Sequence, residues 1–405
     1  MERDEWRGCE GRVAGLARRL GGLALTLGGA NIAAALIAYR AVYSRWERPD
    51  YSTVLGEYYY PRIADRLPRR TFDYYPWHNL ACGSFFPWRD VGRATCETDL
   101  ARARFFSMRD IGAPMHGHRL RGYFYPARHP RGTVVFRHGL RSGADDYLPL
   151  IAAIVAAGYD LFTFDGTGAF DSAGDGTGGA PQWPLDLAAT VAYLRSAGAL
   201  RNDIPLYLVG HSLGGYAVAA ALSLIDGVSA CVSVAGMNDG VGLLADTAAR
   251  YIRLRSALAI PSLVFREYQR LLYGRYADMT AVRGINSAAI PTLLVHGRAD
   301  RILPLDGLSI NAHADKITNP RVEYRVTPAP NDGHDTVLLS GGAITYRSVI
   351  TAERAQIESR RGRALTRAER AALSSRIDHR KYSEPSPTLV EGIVHTLERA
   401  EKCGK

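Results

Sequence analysis

The sequence Gly210-His-Ser212-Leu-Gly214 has the spacing of a serine nucleophile held at a tight turn. The apolar run of residues 206–209 precedes it, and an alanine-rich helical segment follows. A serine at a sharp strand-to-helix turn adopts strained backbone angles, and side chains in place of the flanking glycines would collide with neighbouring segments. The turn lifts the hydroxyl into a cleft and aims the N–H of Leu213 at a developing oxyanion. We therefore predict that Ser212 is a nucleophile.

Such a serine needs two further groups to react. A serine hydroxyl is a poor nucleophile near neutral pH, so a histidine must take its proton and later return it to the leaving group. A carboxylate must fix the tautomer of that histidine and stabilise the imidazolium. The rest of the fold has to bring both groups to the serine.

The elements expected to position these groups begin near residue 103. From there, short β-prone runs alternate with helical patterns, which is typical of a mostly parallel sheet with helices on both faces. Predicted strands cover residues 104–108, 119–126, 133–137, 160–164, 206–209, 230–235, 292–295 and 322–326. Predicted helices cover residues 147–157, 185–197, 216–225 and 389–400. The fold class is therefore α/β.

The order of these motifs resembles the α/β-hydrolase superfamily. The most similar branch contains monoacylglycerol lipases, lysophospholipases and serine aminopeptidase-like esterases. The resemblance covers residues 103–340, more than half of the 405-residue chain. It implies an α/β-hydrolase fold with a helical cap insertion, and a serine at the turn implies acyl transfer to water rather than dehalogenation.

The resemblance also implies the remaining site residues. Gly297-Arg-Ala-Asp300 matches the family's acid motif, which makes Asp300 the acid, with Asp239 as the alternative. Gly333-His334 matches the base motif, which makes His334 the base. His138-Gly139-Leu140 matches the oxyanion-hole loop, so the backbone N–H of Leu140 is expected to join that of Leu213 as a donor.

Other residues with possible chemistry receive no catalytic role. His138, His211 and His296 are interpreted as structural, packed or pocket-shaping residues. No cluster indicates a metal site, and no cofactor is expected. The five cysteines include no C-x-x-C pair. Cys231 is predicted to be buried in a strand, and a pairing of Cys82 with Cys96 stays open.

The division of the chain follows from these assignments. Residues 1–50 form an N-terminal tail and 51–102 an irregular arm. The hydrolase core comprises 103–237 and 286–340, separated by a helical cap at 238–285. A basic helical insertion at 341–381 precedes a closing helix at 382–405. Within the insertion, Thr366-x-x-Glu369 resembles a capping box, and Gly362 is placed to end the preceding helix.

The sequence favours a carboxylic ester of hydrophobic or lipid-like character, because apolar and aromatic residues are frequent in the cap. The same residues could instead form the core of the cap. Thioesterase and serine peptidase activities share the acyl-enzyme route and remain alternatives. A non-catalytic binding protein on the same fold is a further alternative, which the complete triad disfavours. The oligomeric state is left open.

The uncharged run of residues 20–39 is long enough for a helix to span a bilayer core of about 30 Å. A membrane anchor, a cleaved export signal and a helix packed on the hydrolase are its three interpretations. We expect the anchor and hence membrane association, with the side of the membrane unspecified. The net charge of +10 includes a local +6 in residues 347–381. This region lacks interleaved aromatics, so nucleic-acid binding is not expected.

Overall fold

The computed structural model describes residues 36–49 (without 38 and 41), 69–74, 119–243 (without 175 and 197) and 259–403. Its strands are β1 (Arg70–Tyr74), β2 (Leu120–Tyr125), β3 (Thr133–Arg137), β4 (Asp160–Asp165), β5 (Leu206–His211), β6 (Val228–Val234), β7 (Thr292–Gly297) and β8 (Val322–Thr327). They form one sheet in the order β1-β2-β4-β3-β5-β6-β7-β8. Only the pairings of β2 with β1 and β4 are antiparallel. The predicted mostly parallel sheet is therefore confirmed.

Helices cover both faces of this sheet. They are α1 (Leu148–Ala156), α2 (Gln182–Ser196), α3 (Leu213–Ala220), α4 (Ala259–Tyr273), α5 (Ala281–Ala288), α6 (Gly341–Arg361), α7 (Arg367–Ser374), α8 (His379–Tyr382) and α9 (Pro387–Cys403). Helix α3 begins directly after Ser212, three residues before the predicted start at 216. Helix α5 continues past residue 285, so the predicted end of the cap falls inside a helix.

The strands alternate their side chains between two hydrophobic clusters. Val135 and Leu208 belong to the cluster that contains side chains of α2, α3 and α4, whereas Val134 and Val209 belong to the cluster that contains side chains of α1 and α9. Every residue of β3, β4, β5 and β7 is buried. A sheet covered on both faces explains why these strands are nearly continuous apolar runs. Cys231 lies fully buried in β6, as predicted.

Two predictions upstream of the core have different outcomes. Residues 70–74 lie in the segment expected to be irregular, yet they form β1 and add an antiparallel edge strand beside β2. A lone strand pattern of five residues gave too little periodicity to identify it. The strand predicted at residues 104–108 lies outside the described residues, as do Cys82 and Cys96.

A segment that we call the N-terminal strap, residues 36–49, packs on the hydrolase core. Tyr39 and Tyr43 are buried, and their ring centroids lie 4.9 Å apart. Tyr39 also contacts Tyr268 of α4 edge-to-face at 4.9 Å. Arg45 donates hydrogen bonds of 2.8–3.0 Å to three backbone carbonyls of the loop after β4. Arg48 forms ion pairs with Asp145 and, at 2.7 Å, with Asp171.

The strap limits the extent of any membrane span. Tyr39 ends the uncharged run 20–39, and its side chain is 2% exposed within the hydrolase core. Tyr39 itself therefore lies in the hydrolase core and not in a bilayer, and the expected membrane anchor stays a prediction. Residues 20–35 lie outside the described residues, and as a helix those sixteen residues would reach only about 24 Å. Among the described residues, no helix has the length and apolar character needed to cross a membrane.

The basic region near the C-terminus contains helices α6, α7 and α8. Gly362 ends α6 in the left-handed conformation with φ 63°, where a side chain would be strained. Thr366 caps α7, and Glu369 completes the reciprocal capping box. Arg361 and Arg363 pair with that same Glu369. Part of the local positive charge is thus neutralised within the insertion itself.

Candidate active site

Ser212 lies between the carboxyl end of β5 and the first residue of α3. Its backbone angles are φ 58° and ψ −122°, an uncommon conformation for a residue with a side chain. Gly210 and Gly214 permit the turn. A Cβ at Gly210 would collide with the carbonyl of Gly214, and one at Gly214 with the carbonyls of Arg137 and His138. The predicted strand–turn–helix geometry is present, and it leaves the serine partly exposed.

The structure brings the three predicted triad residues together in one hydrogen-bonded chain. The Nε2 atom of His334 lies 2.8 Å from Oγ of Ser212. Its Nδ1 atom lies 2.7 Å from Oδ2 of Asp300. An ionised Asp300 can only accept, so Nδ1 carries the proton and Nε2 is left to accept the serine proton. The chain therefore has the direction that proton removal from Ser212 requires.

Asp300 is held ionised by its surroundings. Burial opposes its negative charge, but hydrogen bonds from His296 and His334 outweigh that cost and keep the pKa of Asp300 well below its usual value. Its Oδ1 atom accepts the backbone N–H groups of Ile302 at 2.8 Å and Leu303 at 2.9 Å. Both carboxylate oxygens are thus occupied, which fixes the orientation toward the histidine.

The alternative acid, Asp239, has a different role. Its Oδ1 atom accepts the backbone N–H groups of Val241 and Gly242, each at 3.1 Å. It closes a local turn at the start of the next helical segment, and its described hydrogen bonds do not reach His334. The geometry therefore favours Asp300 over Asp239.

The loops after β7 and β8 hold the acid and the base in contact. The backbone N–H of Ala299 donates to the carbonyl of Asp332 at 2.8 Å. A Cβ at Gly297 would collide with that carbonyl, so glycine permits the close approach of the two loops. Thr327 donates to the carbonyl of Asn331 at 2.7 Å and closes the loop that carries His334. Adjacent parallel strands explain how residues 34 positions apart come together.

The predicted oxyanion loop lies against the serine. A Cβ at Gly139 would be 3.1 Å from Cβ of Ser212, so the loop backbone and the nucleophile are neighbours. The N–H of Leu213 is in the first turn of α3, where it has no acceptor within the helix. Neither it nor the N–H of Leu140 donates to any described residue. Both are suited to stabilise an oxyanion, the role predicted for them.

The three histidines interpreted as structural, His138, His211 and His296, are buried and hydrogen-bonded. His138 accepts from the N–H of Gly166 at 3.1 Å, and its second ring nitrogen lies 2.8 Å from the Gly139 carbonyl. His296 lies 2.8 Å from the carbonyl of Leu303 and 3.3 Å from Oδ2 of Asp300. It therefore contacts the acid, which its interpretation as a packed histidine did not anticipate.

No role was predicted from the sequence for two residues near the serine, Tyr147 and Ser142. Tyr147 reaches His211 with its hydroxyl at 2.9 Å, and Ser142 donates to the carbonyl of Gly139 at 2.8 Å. Their closeness to the oxyanion loop along the chain was a weak signal, because the direction of their side chains depends on how that loop folds back.

Within the described residues, one group of potential metal ligands occurs in the site. Ligand atoms of His211, His334 and Asp335 lie within 4.8 Å of one another. The ring nitrogens of both histidines already contact protein groups: those of His211 contact Tyr147 and a backbone carbonyl, and those of His334 the triad partners. This arrangement fits proton transfer better than metal binding, and the expectation of no cofactor stays a prediction.

The described part of the cap packs mainly inward. Four side chains of α4 that suggested an acyl pocket are buried in the hydrophobic core, namely Phe265, Tyr268, Leu272 and Tyr273. Leu243 is half-buried, whereas Leu244 and Tyr251 lie outside the described residues. The side chain of Leu271 also lies outside the description.

Comparison with known proteins agrees with this geometry. Residues 128–270, about a third of the chain, match the protein family described as serine aminopeptidase, S33. A 196-residue segment is 31% identical to YfhR of Salmonella typhi, an uncharacterized protein. That segment covers 46% of this chain and 62% of YfhR, less than two thirds of the relative.

Solved structures give weaker resemblances. The esterase Pf2001 of Pyrococcus furiosus is 16% identical with a TM-score of 0.47, covering 78% of this chain and 98% of that one. The alpha/beta hydrolase GrgF from Penicillium sp. sh18 is 17% identical with a TM-score of 0.43, covering 66% of this chain and 91% of that one. Neither resemblance bears on the substrate.

The sheet order, the turn at Ser212 and the match over residues 128–270 lead to the same classification. This chain has the α/β-hydrolase fold, and its residues 128–270 resemble the serine aminopeptidase, S33 family.

Proposed function

We propose that this protein hydrolyses carboxylic esters through an acyl-enzyme, with Ser212 as nucleophile, His334 as base and Asp300 as acid. The hydrogen-bonded chain from Ser212 through His334 to Asp300, with links of 2.8 and 2.7 Å, carries the proposal. Nucleophile and base within hydrogen-bonding reach, with the base oriented by a third group, is the arrangement that activates a serine.

The proposed reaction follows from these positions. Oγ of Ser212 attacks the ester carbonyl while its proton passes to Nε2 of His334, and Asp300 stabilises the imidazolium. The negative carbonyl oxygen is stabilised by the N–H groups of Leu140 and Leu213. The C–O bond to the alcohol then breaks, and His334 returns the proton to the leaving oxygen. A water molecule attacks the acyl-enzyme by the same route and releases the acid and the free serine.

We further propose that the acyl group is hydrophobic. Fewer apolar side chains of the cap are available to bind it than the sequence suggested. The aromatic side chains of α4 stabilise the core and leave few apolar groups of the described cap for a substrate. Apolar side chains of the described cap that are not fully buried include Leu243, Val264 and the exposed Leu263. Outside the cap, the half-buried Leu140 directly follows Gly139, whose backbone lies against Ser212. We expect acyl chains of medium length to be preferred over acetyl.

Steady-state assays on one series of esters with graded acyl length test the substrate class. The thioester and the anilide of the preferred acid are assayed beside them. We expect the ester to give the highest kcat/KM and a fluorophosphonate probe to label the folded protein. A higher kcat/KM for the anilide would instead support the serine peptidase alternative, and one for the thioester the thioesterase alternative. A folded protein that neither labels nor hydrolyses any of them would be a non-catalytic binding protein.

We also propose membrane association through the segment before the strap. The support is the uncharged sequence of residues 20–35, which is shorter than the predicted span. We expect the full chain to stay in the membrane fraction after an alkaline carbonate wash, and a chain starting at residue 36 to be released with an unchanged unfolding temperature. Release of the full chain by high salt alone, without removal of its N-terminus, would contradict the anchor.

A chain starting at residue 50 is the matched comparison, because it removes the strap as well. It loses the buried side chains of Tyr39 and Tyr43 and the contacts of Arg45 and Arg48. We expect its unfolding temperature to fall by roughly 10 °C or more, since each buried aromatic contributes several kcal/mol. Equal unfolding temperatures for the chains starting at 36 and 50 would show that the strap is dispensable.

A further inference from the structure

The oxyanion loop (residues 138–142) and the base loop (residues 331–335) are connected through two buried side chains. The N–H of Gly139 donates to the hydroxyl of Tyr147 at 3.0 Å. That hydroxyl lies 2.9 Å from Nδ1 of His211. Nε2 of the same ring lies 3.0 Å from the backbone carbonyl of His334. One chain of hydrogen bonds thus passes from the oxyanion loop to the residue that supplies the base.

The chemistry of these groups gives the chain one direction. The carbonyl of His334 can only accept, so Nε2 of His211 carries the proton. Burial and the neighbouring His334 ring lower the pKa of His211 to about 4, which keeps the ring neutral near pH 7. Its Nδ1 atom is then an acceptor. Burial raises the pKa of Tyr147, so its hydroxyl stays protonated and donates to Nδ1.

The same hydrogen bonds fix the peptide that supplies an oxyanion donor. The carbonyl of Gly139 accepts from Ser142 at 2.8 Å and lies 2.8 Å from Nδ1 of His138. In a planar trans peptide, the N–H of Leu140 points opposite to that carbonyl. Holding Gly139 at both its N–H and its carbonyl therefore sets the direction of the Leu140 N–H.

We propose that Tyr147 and His211 form a positioning pair that keeps the oxyanion loop and the base loop in register on either side of Ser212. Neither residue touches the substrate in this proposal, which rests on the proposed ester hydrolysis. Because small displacements of donor and base affect the transition state more than the ground state, breaking the pair lowers kcat more than it changes KM.

Tyr147→Phe tests the pair with the smallest change in shape. We expect kcat to fall by roughly 10- to 100-fold, with KM within about twofold of wild type, as the loss of a positioning hydrogen bond implies. The rate of labelling by a fluorophosphonate probe should fall in parallel, since that reaction uses the same serine, base and oxyanion donors. Thermal unfolding of each variant reports whether the fold is kept.

Tyr159→Phe is the matched control. Tyr159 is also fully buried, and its hydroxyl donates a 2.8 Å hydrogen bond to Glu401 of α9, outside the catalytic loops. Its loss should cost stability but leave kcat unchanged. A second test is coupling: if the two residues act as a unit, Tyr147→Phe adds little to the loss already caused by His211→Phe.

Two results would overturn the inference alone. One is that Tyr147→Phe has the same kcat as Tyr159→Phe, while the wild type is active and Ser212→Ala abolishes that activity. The other is losses from Tyr147→Phe and His211→Phe that multiply in the double variant as independent effects. A folded wild type without hydrolytic activity would overturn the proposed function and this inference with it.

Discussion

Ester hydrolysis is expected to fall by about 10⁶-fold in kcat when Ser212 is replaced by alanine, the size of loss that follows removal of the nucleophile in a serine hydrolase triad. The turn itself should persist. The glycines that permit it are unchanged, and alanine meets the same steric cost at φ 58° as serine does. The hydroxyl contributes one part-buried hydrogen bond to His334, so the unfolding temperature should change by only a few degrees.

The measurement is kcat on the preferred ester, together with fluorophosphonate labelling and thermal unfolding. Ser223→Ala is a suitable control, because that serine closes the short helical turn after α3 and donates to the carbonyl of Ala220. It should keep full activity. If folded Ser212→Ala retains more than a few per cent of wild-type kcat, or still labels at the wild-type rate, the nucleophile has been assigned to the wrong residue.

The second large effect is expected at the acid. Asp300→Asn should lower kcat by about four orders of magnitude, as the corresponding change does in a Ser-His-Asp triad. The asparagine can still present an oxygen to the N–H groups of Ile302 and Leu303. Its amide would then donate to Nδ1 of His334, which forces the proton onto Nε2. A protonated Nε2 cannot take the proton of Ser212.

Asp239→Asn is the control for this change, because both substitutions remove one negative charge near a strand end. Asp239 accepts two backbone N–H groups of a local turn, and an asparagine oxygen can accept them as well. We expect kcat within about twofold of wild type and a small change in stability. The reverse outcome, with Asp239→Asn inactive and Asp300→Asn active, would make Asp239 the acid.

We expect substitutions in the positioning pair to lower kcat less than Ser212→Ala and Asp300→Asn do, so that the losses form a graded series. Removing the nucleophile or the acid stops a chemical step, whereas breaking the contact between Tyr147 and His211 leaves every reacting group present but less well aligned. Residues that act as one unit give losses that are not additive. The order of effects therefore separates groups that react from groups that hold them in place.

The sequence by itself determined the class of fold and was sufficient to predict Ser212 as the nucleophile. The turn at Ser212 is local: strand, glycines, serine and helix follow one another within about a dozen residues, so their physical requirements are visible in the order of residues. The buried strands could be predicted for a similar reason, because a strand covered on both faces must be apolar throughout. Caps such as Thr366 and Gly362 also depend only on neighbours.

The choice of Asp300 over Asp239 as the acid came from a motif resemblance, because both residues follow strands, and the tertiary structure adds independent support for it. That support is the 2.7 Å contact of Asp300 with His334 across two neighbouring loops, which depends on how distant segments pack. The location of Tyr39, the last residue of the uncharged run, also depended on the tertiary structure. Nothing in the composition of the run indicates that Tyr39 packs against Tyr268.

The network through Tyr147 and His211 shows the same limit. Both ring nitrogens of the buried His211 are hydrogen-bonded to residues distant in the sequence. Tyr147 is 64 positions away and His334 is 123 positions away. A side chain's residue type determines which hydrogen bonds it can make, but the packing of distant segments determines which of them it does make.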